Sequence, residues 1–306
     1  MESKTAATLT PIIVPLDGSE NAEAALPYVR AIGGPAGVVT LLEVTPPASN
    51  VRNIFGKEIG SAQQVQQGYE KVAREHLDRA AARLGDQARV RREVAVGDPA
   101  EQILRVASEQ GAGLIAMTNQ GRGAWGPWAL GSTVDRVVRA ARQPVLVVHP
   151  RAAATGTAGG NVVTGLLVPI DGSDEAARAL PVAAALARAL AVPVRVVRAV
   201  SAAAVTPPGQ SAYDQEALAA QRTEAQRGVQ TAVDGLRATG VEATAEVLTG
   251  EPVATVISAA DPGDLIVVTS HGQTGSGRWV LGGVADKLVR AGTTPAVLVP
   301  SASRGQ

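Results

Sequence analysis

The fold of this chain is decided by the stretch Thr118-Asn119-Gln120-Gly121-Arg122-Gly123-Ala124-Trp125-Gly126-Pro127-Trp128-Ala129-Leu130-Gly131-Ser132-Thr133. It follows the apolar run 113–117, which is too short for a helix and has the aliphatic density of a buried strand. It precedes residues 134–141, whose apolar positions recur at helical spacing. Glycines let a backbone approach an anion closely, and the free N–H groups of a helix start point at it. The stretch therefore predicts a phosphate-binding loop between a strand and a helix.

The same loop occurs a second time, at residues 269–283, again after an apolar run and before a helical pattern. Gly121 and Gly272 are 151 residues apart, and so are Gly131 and Gly282. The chain is therefore a tandem duplication, and its 306 residues suffice for two domains that each bury a core. We place the first domain at 1–150, a linker rich in small residues and glycine at 151–163, and the second domain at 164–306.

Composition narrows the class of protein. Hydrophobic residues make up 45% of the chain but aromatic residues only 2%, which suits parallel sheets with aliphatic cores. Basic and acidic residues number 28 each, so no charge excess favours nucleic acid as the main partner. No apolar run is long enough to cross a membrane and no signal peptide is recognisable, so we expect a cytoplasmic location.

Each half shows five apolar strand patterns alternating with four helical ones. The predicted strands are 11–16, 38–44, 90–96, 113–117 and 144–148 in the first half, and 165–170, 194–200, 242–248, 264–268 and 295–299 in the second. Such alternation implies right-handed crossovers and a parallel sheet covered on both faces. The fold class is therefore α/β, with two tandem three-layer α/β/α domains, each built on a five-stranded parallel open sheet.

The ordered motifs resemble the universal stress protein family. They are a strand ending in Val14-Pro15-Leu16-Asp17-Gly18-Ser19, a turn Gly97-Asp98-Pro99-Ala100, the glycine loop, and a final strand 144–148. The resemblance covers both halves, so the chain looks like a tandem universal stress protein. It implies an ATP-binding regulatory or stress-response module, with or without Mg²⁺.

Nucleotide-binding members of that family have a loop of Gly, two residues, Gly, nine residues, Gly, then Ser or Thr. The first half has Gly121, Gly131 and Ser132 at these positions, but Thr118 replaces the first glycine. In the second half Thr269 makes the same replacement, and Gly283 stands where the hydroxyl residue belongs. The first half is therefore the better candidate site.

The resemblance also assigns residues to the ligand. Asp17 and Asp171 would lie near the ribose or base, and Val44 and Val200 would offer backbone groups to the adenine. Arg122 would add a charge-assisted phosphate contact that its counterpart Gln273 cannot make. The complete set of predicted binding residues is Pro15, Asp17, Val44, Met117, Gly121, Arg122, Gly131, Ser132, Thr133, Asp171, Val200, Gly272 and Gly282.

Purely structural roles are also possible for several of these residues. Glycine also serves close packing, and Asp17 and Asp171 are suited to capping the helix that follows their turn. The three tryptophans at 125, 128 and 279 fit packing better than base stacking. The three histidines, at 76, 149 and 271, share no metal-ligand spacing, so no metal site is expected.

Three functions remain open: a nucleotide-binding regulatory module, a weak ATPase, and a scaffold with vestigial sites. Hydrolysis would need a general base near the phosphates and an acidic Mg²⁺ ligand. The glycine loop holds no acidic residue before Asp135, so binding is favoured over catalysis and no catalytic residue is assigned. Since family members pair through their last strand, we expect an internal pseudo-dimer of the two halves, and we leave a further homodimer open.

Overall fold

The computed structural model describes residues 9–52, 58–85, 89–121, 130–150, 161–201, 211–270, 281–291 and 294–301. In the first half, seven strands and four helices follow one another. They are β1 (Ile12–Leu16), α1 (Leu26–Gly33), β2 (Val38–Thr45), β3 (Val51–Arg52), β4 (Glu58–Gly60), α2 (Ala62–Leu84), β5 (Arg89–Val96), α3 (Pro99–Glu109), β6 (Leu114–Thr118), α4 (Ser132–Ala140) and β7 (Val145–Val148).

The second half repeats this order without the short β3–β4 hairpin in its described residues. Its elements are β8 (Gly165–Pro169), α5 (Asp174–Ala177), α6 (Ala179–Leu190), β9 (Val194–Val200), α7 (Ser211–Arg237), β10 (Ala243–Thr249), α8 (Pro252–Ser258), β11 (Asp264–Thr269), α9 (Gly283–Ala291) and β12 (Ala296–Val299).

The ten long strands form one sheet in the order β10-β9-β8-β11-β12-β7-β6-β1-β2-β5. Within each half all neighbouring strands are parallel, as the alternation of strand and helix patterns predicts. Between the halves β12 and β7 are antiparallel, with Val297 opposite Leu146. The described sheet is therefore continuous from one half to the other.

Two apolar layers cover this sheet, because alternate side chains of every buried strand point to opposite faces. One layer packs Leu41 and Leu146 against α1, α2 and their counterparts, and the other packs Ile115 and Val147 against α3, α4 and theirs. Aliphatic side chains fill both layers, as the low aromatic content of the sequence predicts. The fold class is thus confirmed.

The structure departs from the predicted elements in two places. The helix after β1 begins as a 3₁₀ turn, Ala22–Ala25, and becomes α-helical only at Leu26, where Pro27 stands in the first turn. Proline fits there because its missing N–H would have no partner. The β3–β4 hairpin lies between the predicted strands 38–44 and 90–96, where the sequence predicts no strand, and its strands of two and three residues are too short to show a period.

A candidate ligand cavity at the carboxyl edge of the first half

A cavity of about 320 Å³ opens where β1, β2 and β6 end and where α3 and α4 begin. Its wall is mostly apolar, with a carboxylate and hydroxyls at a few points. The lining residues are Pro15, Leu16, Asp17, Ala22, Val44, Pro99, Ile103, Met117, Thr118, Gly121, Gly131, Ser132 and Thr133. Ligands bind at this edge of open parallel sheets, and the volume lies at the lower end of the range for small-molecule sites.

Most of the first-half residues predicted from the sequence meet in this cavity. They are Pro15, Asp17, Val44, Met117, Gly121, Gly131, Ser132 and Thr133. Arg122 lies outside the described residues. The sequence did not assign Leu16, Ala22, Pro99, Ile103 or Thr118 to the site. For Pro99 the signal was present, since its turn starts a helix at the same edge of the sheet.

The amino end of α4 is the most distinctive wall of the cavity. Its N-cap is Gly131, which has no side chain to cap the helix. By contrast Ser61, Asp98, Ser173 and Glu251 each accept a hydrogen bond from the first turn of their own helix. The first N–H groups of an α-helix have no partner within it, so those of α4 are left for another acceptor at the cavity wall.

Two hydrogen bonds fix this helix end. The N–H of Gly131 donates to the carbonyl of Asn119 at 3.0 Å, which returns the glycine loop to the end of β6. The N–H of Asp135 donates to the carbonyl of Gly131 at 3.0 Å and starts the helix. Ser132 and Thr133, between these anchors, line the cavity with hydroxyl groups. N–H groups, hydroxyls and the positive end of the helix dipole together suit an anion.

The carboxylate of Asp17 forms another part of the wall. Its Oδ1 accepts hydrogen bonds from the backbone N–H of Ser19 at 3.0 Å and from the Ser19 hydroxyl at 2.5 Å. The Ser19 Oγ in turn accepts from the N–H of Ala22 at 3.2 Å. Asp17 therefore stabilises its own turn, as the plainer interpretation expects, and at the same time presents an edge to the cavity.

The position of Asp17 also explains why residue 121 is a glycine. A Cβ built on Gly121 would collide with Oδ2 of Asp17. Since the colliding atom belongs to a short side chain held in a turn, it has little room to move. Glycine at this position thus allows the loop to pass directly over the carboxylate.

An ion pair joins the two helices that start at the cavity. Arg136 of α4 donates from Nη1 to Oδ2 of Asp98 at 2.6 Å, while Oδ1 of Asp98 accepts from the N–H of Glu101 at 3.0 Å. The hydrogen bond from Arg136, and then that from Glu101, lowers the pKa of the Asp98 carboxyl below its usual value. This contact fixes the first turn of α3 beside the first turn of α4.

The second half repeats part of this geometry. Oδ1 of Asp171 accepts from the N–H of Ser173 at 2.9 Å and from its hydroxyl at 2.6 Å, as Asp17 does with Ser19. The N–H of Gly282 donates to the carbonyl of Ser270 at 2.8 Å. Gly283, the first residue of α9, brings no hydroxyl. Gly272 lies outside the described residues.

The strand register corrects one predicted equivalence. Pro15 pairs with Leu42 in the first half, and its counterpart Pro169 pairs with Val197 in the second. Two residues further on, Val44 therefore corresponds to Ala199, whereas Val200 corresponds to Thr45. A shift of one residue moves a side chain to the other face of a strand. The apolar runs mislead here because β2 continues to Thr45, one residue past its apolar run, whereas β9 ends with its run at Val200.

Two properties of the described residues bear on the kind of site. They contain no helix with both the length and the apolar character needed to cross a bilayer. Nor do they contain a group of three or more His, Cys, Asp or Glu side chains arranged to hold a metal ion.

One protein family matches both halves of the chain. The model of the universal stress protein family matches residues 8–149 and 165–300. Universal stress protein MJ0577 of Methanocaldococcus jannaschii is 30% identical over 155 residues, which cover 45% of this chain and 93% of that protein.

Solved structures extend the likeness to the whole chain. A universal stress protein from Archaeoglobus fulgidus has a TM-score of 0.62 at 18% identity, with 94% of this chain and 97% of that chain covered. One from Pseudomonas aeruginosa, described as a putative universal stress protein, has a TM-score of 0.58 at 14% identity, with 96% and 94% covered. At these identities the likeness shows the fold alone.

Proposed function

Because the chain belongs to the universal stress protein family, we propose that its first half binds an adenine nucleotide, ATP with or without Mg²⁺, and acts as a regulatory stress-response module. The observation that carries the proposal is the uncapped amino end of α4 in the wall of the cavity. The hydroxyls of Ser132 and Thr133 stand beside these unused N–H donors. A phosphate group satisfies such donors better than a neutral ligand does.

The proposal includes one orientation of the ligand in the cavity. Phosphates lie against the α4 end, at Gly131, Ser132 and Thr133. The nucleoside lies toward Asp17 and Val44, where a carboxylate can accept hydrogen bonds and the end of β2 offers backbone groups. The apolar side chains between them provide the flat contact that a base requires.

The second half is the weaker site in this proposal. Asp171 and Gly282 keep the turn and the loop return of the first half. Gly283 and Val284 stand where Ser132 and Thr133 supply hydroxyls in the first half, so a phosphate there has two hydroxyl donors fewer.

Binding without obligatory hydrolysis fits the charges around the cavity. Among the described residues that line the cavity, Asp17 alone carries a carboxylate, and in this proposal it lies at the nucleoside end. Asp135 accepts from Arg139 at 2.8 Å and faces Arg290 at 3.5 Å, so it is engaged away from the phosphates. A weak ATPase remains the alternative function.

We further propose that the two halves, 1–150 and 164–306, work as an internal pseudo-dimer. The antiparallel pairing of β7 with β12 supports this arrangement. So does the ion pair between Asp135 of α4 and Arg290 of α9, since it joins the two helices that begin at the glycine loops.

The test is calorimetric titration of nucleotide-stripped protein with ATP and Mg²⁺, with stoichiometry read beside affinity. We expect one dominant site per chain. The double variant Gly131→Val, Ser132→Ala should weaken ATP binding by about tenfold or more, since hydrogen bonds to charged groups are worth about 1.5–3 kcal/mol each.

The matched control is Gly282→Val in the second loop, which should leave the dominant site unchanged. If the first-half variant binds ATP as well as the parent does, the assignment to α4 is wrong. If the parent protein does not bind ATP at millimolar concentration, the nucleotide proposal fails and the scaffold interpretation replaces it.

A further inference from the structure

The two halves carry opposite charges at one strand position. Glu43 follows Leu42 in β2, and Arg198 follows Val197 in β9, where Leu42 and Val197 pair with the equivalent prolines of β1 and β8. Both side chains lie on the face of the sheet that α2 and α7 cover, because they alternate with residues of the opposite layer. A carboxylate in one half is thus replaced by a guanidinium in the other.

In the first half the charged residue at this position, Glu43, has a partner on the helix that covers it. Oε1 and Oε2 of Glu43 lie 3.0 and 3.2 Å from Nδ1 of His76 on α2. The two side chains are only 9% and 13% exposed. The carboxylate is therefore satisfied inside the protein.

In the second half the partner is missing. The buried residues of α2 and α7 repeat at an interval of 152, from Leu77 to Val229 and from Leu84 to Leu236, so His76 corresponds to Gly228. Gly228 has no side chain, so it offers no polar partner at this position.

Arg198 fills the space that two glycines leave. A Cβ on Gly172, in the turn after β8, would lie 2.8 Å from Nη1 and 3.0 Å from Cζ of Arg198. A Cβ on Gly228 would lie 3.4 Å from Nη1. The guanidinium thus rests directly on the turn that carries Asp171, with the α7 backbone on its other side.

The N–H donors of Arg198 have only a weak partner within the described residues. Its side chain is 18% exposed, and its one ion pair within the described residues is with Glu224 at 3.8 Å, too long for a hydrogen bond. Glu224 is 74% exposed, and such solvated pairs contribute little. A guanidinium has five N–H donors in a planar fork that matches an oxyanion, and the exposed part of Arg198 leaves some of these donors within reach of a ligand from solvent.

We propose that Arg198 forms an anion site in the second half, between the Gly172 turn and the Gly228 face of α7, for the phosphate group of a small molecule. The anion displaces Glu224 and accepts two N–H groups from the guanidinium. The second half thereby binds phosphate at the Asp171 end of its carboxyl edge, whereas the first half offers its donors at the α4 end. This inference does not depend on nucleotide binding in the first half.

The experiment observes Arg198 itself in the full chain. The side-chain Nε–Hε resonance of Arg198, identified by its absence in Arg198→Gln, is followed by NMR while inorganic phosphate, and separately AMP, is added. We expect a saturable shift, and at least a tenfold loss of phosphate affinity in Arg198→Gln by calorimetry. Arg188→Gln is the control, since that exposed arginine of the same half donates to Thr239.

A second pair of variants keeps the test decisive if Arg198→Gln does not fold. Gly228→His places an imidazole against Nη1 and should reduce phosphate affinity, whereas Gly235→His, on the same helix, meets nothing within 4 Å of its Cβ and should not. A shift with AMP alone would identify the phosphate as part of a nucleotide, and a shift with both would show that free phosphate suffices. An Arg198 resonance that neither compound shifts, or equal affinities in the two histidine variants, would overturn the proposal.

Discussion

The Nε2–H of His149, the residue that follows β7, donates to the backbone carbonyl of Leu288 in α9 at 3.1 Å, across 139 residues of sequence. A carbonyl can only accept, so Nε2 carries the hydrogen. The imidazole is buried, and burial lowers its pKa despite the opposing effect of the hydrogen bond. A neutral histidine therefore joins the end of β7 in the first half to α9 in the second half.

Acid should weaken this junction. A histidine whose pKa is lowered by folding binds its proton more readily in the unfolded chain, so its stabilising contribution is complete above the unfolded pKa of about 6.5 and declines as the pH falls below it. Urea unfolding at about pH 7.5 and about pH 5.5 tests this, with His149→Gln as the comparison, because glutamine can donate to Leu288 but does not titrate in this range. The parent should lose more stability on acidification than the variant. Equal losses would show that other groups govern the pH dependence.

The strand at the junction should be sensitive to cavities. Leu146 is fully buried in β7 and lies opposite Val297 of β12. Leu146→Ala should lower the free energy of unfolding by about 2–5 kcal/mol, from lost burial and the cavity left behind. Val72→Ala on the exposed face of α2, where 49% of the residue is accessible, serves as control and should change little. Similar losses in the two variants would contradict the packing described for β7.

Gly121→Ala tests the contact between the loop and Asp17. The added methyl collides with Oδ2 of Asp17, so the variant should lose both stability and ATP affinity. Asp17→Ala removes the colliding atom but also the hydrogen bonds to Ser19, so it should destabilise the Gly121→Ala protein less than it destabilises the parent, and it should not restore ATP binding. Gly68→Ala, in the middle of α2 with nothing within 4 Å of its Cβ, should instead stabilise by about 0.5–1 kcal/mol. Chemical unfolding and ATP calorimetry on the parent, the three single variants and the double variant provide the measurement.

The second glycine loop should gain affinity from one hydroxyl. Gly283→Ser supplies the group that Ser132 has in the first half, with Gly283→Ala as the control for backbone effects. In a background carrying Gly131→Val, the serine variant should bind ATP about tenfold more tightly than the alanine variant, the scale of one hydrogen bond to a charged group. Calorimetric affinities that do not differ would mean that the hydroxyl is not what separates the two sites.

Most of the fold could be predicted from local patterns, because the two halves repeat the same order of strands and helices. The aliphatic runs predicted β6 and β11, and the glycine loops predicted where α4 and α9 begin. Local patterns could not predict the hairpin of β3 and β4, whose strands are too short to show a period. They also missed the 3₁₀ start before α1.

The candidate site was predictable where a motif marks it and not where packing decides it. Gly131 and Ser132 belong to a recognisable loop. Ile103 lies one turn into α3, and it reaches the cavity only because of how α3 packs beside α4, which no local pattern shows. The counterpart of Val44 was not predictable from the apolar runs, because Thr45 extends β2 by one residue whereas β9 ends with its run at Val200. Arg198 gave no signal, since its meaning depends on Gly172 and Gly228, which are distant in sequence.

The antiparallel pairing of β7 and β12 decides on which sides of the sheet the two carboxyl edges lie. Parallel strands of one half all end at the same edge, so reversing the direction at the junction sends the carboxyl edges of the two halves to opposite rims of the sheet. With ten strands about 4.8 Å apart, the sheet is roughly 43 Å wide. A molecule that covers the carboxyl edge of one half therefore leaves the carboxyl edge of the other half free, on the opposite rim.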